Sequence, residues 1–342
     1  MTAASTMCDA YNLRGLPADG SCPACGCIVS YRFSQRISQP HVILTYMGLL
    51  VLFAVAALVI VLVGTTTLVR RMIRPHRKSL AFAIARQLPT EPAELGLTGE
   101  EITLRYEDGT SAPGWVIKGK SPEGPLVVLT HGWANSRYGS LSKATAYVPY
   151  ASRVVVYDVR GHGDSTAHTT TLGVREAEDL LQLLNQVNRD GRPVVLVGSS
   201  MGSTATLRAA AALSRDDAPH RLAAVILDGP YCRDAEPVAA RLRRDRLPAQ
   251  PFAWLATQVL RQLIPGYGSY DGPQLAAQLR CPLLVLHGCD DPICNIASGR
   301  RIAQSAPRGR IVEFPGAGHG GLWHVDAKRY AEALRSTLFA GE

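Results

Sequence analysis

The chain has 342 residues, 46% of them hydrophobic and 19% charged, with 31 Gly and 22 Pro; this excludes a disordered or low-complexity chain. Eight cysteines over this length exclude a miniature fold built on disulfides. The net charge of +8 invites a polyanion partner, but residues 1–80 carry eight basic against two acidic residues and the remaining 262 hold only +2, without the aromatic-interleaved basic stripe that nucleic-acid binding would need.

The first 41 residues contain Cys8, Cys22, Cys25 and Cys27. In Cys22-Pro23-Ala24-Cys25-Gly26 the two thiolates are spaced to reach one metal, and Gly26 lets the chain turn behind them. The run resembles one knuckle of a zinc ribbon, and Tyr11–Pro17 is similar to the stretch between knuckles in small bacterial ribbons. The resemblance implies zinc held by these four cysteines. It is incomplete, because the first knuckle offers only Cys8 and Cys27 lies very close to Cys25. A metal-free leader is the alternative reading, and disulfides a third if the leader faces an oxidising compartment.

From Val42 to Val69 there are 28 residues without a charge. A bilayer core takes about 20 apolar residues, so the stretch predicts one transmembrane helix over 42–69, with the lipid bilayer as its partner. It lacks the polar stripe of a soluble helix, and it is too long and begins too late for a signal core. Arg32 and Arg36 precede the span, whereas Arg70, Arg71, Arg74, Arg77, Lys78 and Arg86 follow it. The excess of positive charge places the C-terminal side in the cytoplasm. Residues 70–94, ending in Pro89 and Pro92, read as a basic juxtamembrane linker.

Beyond the linker, strand-like runs at 102–106, 114–117, 126–130, 154–157, 194–197, 223–227, 283–286 and 311–314 alternate with helical patterns such as 174–187 and 204–213. The later runs are short, continuous and rich in Val, Leu and Ile, as strands buried on both faces should be. The alternation predicts an α/β domain over 95–342, with a mostly parallel eight-stranded sheet and helices on both faces.

Loop motifs fall at the ends of these strands, where open α/β sheets bind ligands. Gly198-Ser199-Ser200-Met201-Gly202 stands between a strand and a helix and fits G-x-S-x-G, a strained turn that exposes Ser200, with Gly198 and Gly202 demanded by close backbone. His131-Gly132-Trp133 follows the third run, Asp158-Val159-Arg160-Gly161-His162-Gly163-Asp164-Ser165 the fourth, His287-Gly288-Cys289-Asp290-Asp291-Pro292 the seventh, and Pro315-Gly316-Ala317-Gly318-His319-Gly320 the eighth.

With these motifs in this order, residues 95–342 resemble the α/β-hydrolase superfamily. The resemblance implies a Ser200–His319–Asp291 triad. It implies an oxyanion hole of the Trp133 and Met201 backbone N–H groups, and loop-shaping roles for His131 and His162. Asp228 and His324 compete for the acid and base positions. The region 231–270 lies where this fold inserts a lid; its Phe252, Trp254, Leu255, Val259 and Leu260 could roof an acyl or alkyl pocket and its six arginines (233, 241, 243, 244, 246 and 261) could meet anionic head groups, but Asp234, Glu236 and Asp245 dilute the arginines, and an amphipathic cap with a solvated basic face is the preferred reading. Within the superfamily, residues 158–181 and Leu227–Tyr231 are most similar to a bacterial group labelled serine-aminopeptidase-like or dienelactone-hydrolase-like. The expectation is a membrane-anchored serine hydrolase acting on a small-molecule ester or thioester, with no cofactor required for catalysis. A peptidase or amidase with the same triad and a non-catalytic scaffold of the same fold are the alternatives, and the sequence does not give the oligomeric state.

Overall fold

The computed structural model describes residues 40–338. Cys8, Cys22, Cys25 and Cys27, and with them the zinc reading, lie outside the described residues.

Helix α1 spans Pro40–Ile73, longer at both ends than the 42–69 span read from hydropathy. Its stretch Ile43–Ile73 has a mean hydropathy of 3.0 and is long and apolar enough to cross a membrane. Leu50 and Phe53 are 69% and 79% exposed, so this surface is not covered by protein. Arg70 and Arg71 sit in the last turn, where cations meet the negative end of the helix dipole.

The chain separates between Val59 and Ile60 into two compact units. In the second unit, the final turns of α1 belong to the packed body. Val69 is buried in the main apolar cluster with Leu104 and Tyr106. Gly64 faces Phe252, whose ring lies 2.6 Å from where a Cβ would stand, so only a residue without a side chain fits without displacing it. Residues 70–94 are likewise tied down. Ile73 O accepts from Thr170 N at 2.9 Å. Arg77 donates to Ser165 O at 2.6 Å and to Ala167 O. Helix α2, Leu80–Ala85, buries Ala83, and a 3-10 turn follows at Pro92–Leu95.

Eight strands form one sheet: β1 Gly99–Arg105, β2 Ser111–Lys118, β3 Leu126–Thr130, β4 Arg153–Tyr157, β5 Val194–Ser199, β6 Leu222–Asp228, β7 Leu283–Gly288 and β8 Gly309–Phe314. Their order is β1-β2-β4-β3-β5-β6-β7-β8, with β2 antiparallel to both neighbours and every later pair parallel. Each of the eight apolar runs falls on a strand. The first run sits late on β1, because this edge strand opens with exposed Gly99, Glu100 and Glu101 and carries no apolar signal there.

In the central strands alternate side chains enter two cores. Leu126, Val128, Val155, Leu196, Val225 and Val285 face one. Val127, Leu129, Val156, Val197, Ile226 and Leu286 face the other. Both cores are roofed by helices: α3 Arg137–Ala144, α4 Arg175–Val187, α5 Met201–Leu213, α8 Gly272–Ala276, α9 Ile296–Ser305, α10 Leu322–Val325 and α11 Ala327–Leu338. Between β6 and β7, over the predicted lid, stand α6 Glu236–Arg244 and α7 Phe252–Leu263. Val238, Leu242 and Ala253 form a small cluster there, against which Leu68 and Met72 of α1 pack.

Candidate active site

Ser200 joins β5 to α5 with φ 52° and ψ −116°, a left-handed conformation that costs a non-glycine residue about 1–3 kcal/mol. The turn is held by Ser200 N donating to Asp228 O at 2.9 Å and Ser203 N donating to Ser200 O at 2.8 Å. Both flanking glycines are sterically required. A Cβ on Gly198 would strike the Gly202 carbonyl and the Thr206 hydroxyl, and one on Gly202 would strike the carbonyls of Thr130 and His131.

Three of the expected site residues come together. Ser200 Oγ lies 3.0 Å from His319 Nε2, and His319 Nδ1 lies 2.7 Å from Asp291 Oδ2. Asp291 Oδ1 accepts from the N–H groups of Ile293 and Cys294, each at 2.8 Å. Burial pushes the Asp291 carboxyl up, but the bonds from His319, Cys294 and Ile293 outweigh it and hold the group below the usual carboxylate range. Ser200, Trp133 and Met201 line one cavity of about 270 Å³, walled by Leu68, Arg71 and Met72 on one side and by α6 on the other. Met201 opens α5, a position whose N–H has no acceptor within the helix. The Trp133 indole donates to Met72 O at 2.8 Å, which fixes the loop after β3 to the end of α1.

The competitors stand elsewhere. His324 is exposed, stacked on Trp323. His131 Nε2 accepts from Val159 N at 3.0 Å and its Nδ1 bonds Gly132 O at 2.8 Å; burial lowers its pKa to about 3, so it is a neutral clamp between two loops. His162 bonds Arg160 O, and burial lowers its pKa as well. The rest of its loop is braced by Arg160, which grips both oxygens of Asp179 at 2.7 Å and Asp108 at 2.6 Å.

Asp228 is engaged by Lys143, whose Nζ lies 2.7 Å from Asp228 Oδ2 and 2.9 Å from Ser199 Oγ in an almost fully buried pair. Sequence reasoning missed Lys143, which carries no motif. Replacing Lys143 with Met leaves a buried carboxylate alone and is expected to cost about 3–5 kcal/mol in denaturant unfolding of the detergent-solubilised chain. Adding Asp228→Asn should restore most of it; equal losses in the single and double variants would show that the pair is not the cause.

Cys294 stands three residues after Asp291. Its thiol is buried and is pushed well above its usual pKa by burial and by Asp291. Asp291, Cys294 and His319 place ligand atoms within 4.8 Å of one another, the one such group among the described residues, but its Asp291–His319 pair is already joined by a hydrogen bond.

Residues 127–333 match the family described as the alpha/beta hydrolase family. The chain belongs to that family. The chain is 30% identical over 205 residues to the protein YqkD of Bacillus subtilis, covering 56% of this chain and 65% of YqkD. It is 26% identical over 214 residues to the lysophosphatidylserine lipase ABHD12 of Bos taurus, covering 57% of this chain and 49% of the lipase. The matched stretch thus spans about half to two thirds of these relatives. Among solved structures, the esterase Pf2001 of Pyrococcus furiosus superposes with a TM-score of 0.60 at 19% identity, covering 78% of this chain and 97% of the esterase, which shows the shared fold.

Proposed function

We propose that the chain is a membrane-anchored serine hydrolase that cleaves a carboxylic ester or thioester through an acyl-enzyme on Ser200. The observation that carries this reading is the hydrogen-bonded line Ser200–His319–Asp291 opening into a cavity. His319 Nε2 takes the Ser200 proton as Oγ attacks the carbonyl carbon. The backbone N–H groups of Trp133 and Met201 receive the developing oxyanion, where each preorganised donor is worth about 3–4 kcal/mol. His319 then passes the proton to the leaving alcohol or thiol, and water reverses the sequence to release the acid. Asp291 keeps Nδ1 protonated and balances the imidazolium.

Support for an ester comes from the relatives named for lipase activity. Support for the anchor comes from α1, and the six-to-two excess of basic residues after the span favours a cytoplasmic hydrolase domain.

A fluorophosphonate probe is expected to label the wild-type chain and to leave Ser200→Ala unlabelled. 4-Nitrophenyl esters should be turned over and aminoacyl anilides should not. Labelling that survives the substitution, or anilides cleaved faster than esters, would refute the assignment.

A further inference from the structure

Arg241 projects from α6 into the wall of the cavity that holds Ser200. Its guanidinium carbon sits 4.2 Å from the centre of the Trp133 ring, so the cation lies over the indole. A cation–π contact uses none of the acceptors that a guanidinium needs; its N–H donors lie in the guanidinium plane, in the geometry that grips a carboxylate or phosphate with two bonds. Among the described residues no carboxylate lies within salt-bridge distance of Arg241, and no acceptor takes its N–H groups.

The two acids that line the same cavity are already engaged. Asp245 accepts from Arg244 at 2.9 Å. Asp234 accepts from Gly268 N at 2.7 Å and from Tyr270 N, with Arg208 3.9 Å away. Arg71 and Arg244 line the cavity as well, so its lining carries three arginines against these two acids. Burial presses the Arg241 pKa down from the usual arginine value, the mark of a cation that has given up water without gaining a counter-ion. At about 270 Å³ the cavity lies at the lower edge of ligand-pocket sizes, which suits one chain and not two.

We propose that Arg241 determines specificity at this site, its stacked guanidinium receiving the carboxylate or phosphate of a single-chain anionic ester whose carbonyl reaches Ser200. This rests on the hydrolase reading above and adds the class of substrate. Trp133 then serves twice, its backbone facing the reacting carbonyl and its ring holding the cation that selects the ester.

The test uses the full-length chain in neutral detergent with two esters of equal length, 4-nitrophenyl pentanoate and the mono-4-nitrophenyl ester of glutaric acid. The wild type should prefer the anionic ester. Arg241→Gln should lower kcat/KM for the glutarate ester about 10- to 100-fold, the weight of a charge-assisted hydrogen-bonded pair, chiefly through KM. The pentanoate ester should lose far less, and Arg241→Lys should fall between, keeping the charge without the fork. A wild type that prefers the neutral ester, or equal losses on both esters, overturns the proposal. Repeating the comparison with a dodecyl-chain anionic ester dispersed in phosphatidylcholine vesicles separates a membrane-borne substrate from a dissolved one, and the Arg241 dependence should hold for whichever is preferred.

Absence of fluorophosphonate labelling would instead defeat the hydrolase reading. The subsite is then decided by binding of hexyl phosphate, followed by tryptophan emission in wild type and Arg241→Gln. A saturable change present only in the wild type upholds the anion site, and no difference between the two overturns it.

Discussion

Replacing Ser200 with glycine is expected to abolish turnover and, in the same variant, to raise stability by about 1 kcal/mol relative to Ser200→Ala. Ser200 has φ 52° and ψ −116°, which glycine adopts without the clash that a Cβ brings. Both variants remove the oxygen that attacks, and kcat should fall on the order of 10⁶-fold, the scale seen when a triad serine is lost. Alanine keeps the Cβ and therefore keeps the strain. Glycine releases it, and part of that gain is offset by the greater freedom of glycine in the unfolded chain. Steady-state kinetics and denaturant midpoints of the pair check both halves. A glycine variant no more stable than the alanine one would mean that the turn is not strained as its dihedral angles indicate.

The second large effect separates two carboxylates. Asp291→Asn is expected to lower kcat about 10⁴-fold with the fold intact, because an amide at this place no longer holds the His319 tautomer that can accept the Ser200 proton. Asp228→Asn should leave kcat within about tenfold and register mainly as lost stability, since its carboxylate answers Lys143. Reversed outcomes would transfer the acid role to Asp228. Acid sensitivity gives a further check. The Asp291 carboxyl is held below its ordinary value, so the stability it contributes is present above the unfolded carboxyl pKa of about 3.9 and is lost as pH falls through the folded one. That part of the acid lability should vanish in Asp291→Asn.

The candidate site was largely legible because its pieces are local. Gly198–Gly202, Asp291 and His319 each sit in a short loop directly after an apolar run, and the sheet brings those strand ends together without further instruction. The β1 boundary was blurred because an exposed edge strand begins with charged residues that carry no apolar pattern. Arg241, Lys143 and Met72 were not legible as parts of the site. Their places depend on how α6, α3 and the end of α1 dock, and docking is decided by tertiary packing that no short window of residues encodes. The lid arginines read as a solvated face in the sequence, and only the stacking of one of them on Trp133 distinguishes it from the rest.

The hydrogen bond from the Trp133 indole to Met72 O bears on where the α/β domain can be cut free of the apolar helix. Hydropathy suggests trimming after the span, near residue 80. That cut would remove Met72 and Ile73, whose carbonyls are bonded into the body, together with Val69 from the core and Arg77 from its two carbonyl partners. It would also open the cavity on the side of Leu68 and Arg71. The last turns of α1 are therefore a wall of the cavity as much as the end of the apolar helix. A soluble form of this protein should keep the chain from about Ile60 onward and change its outward apolar residues to polar ones.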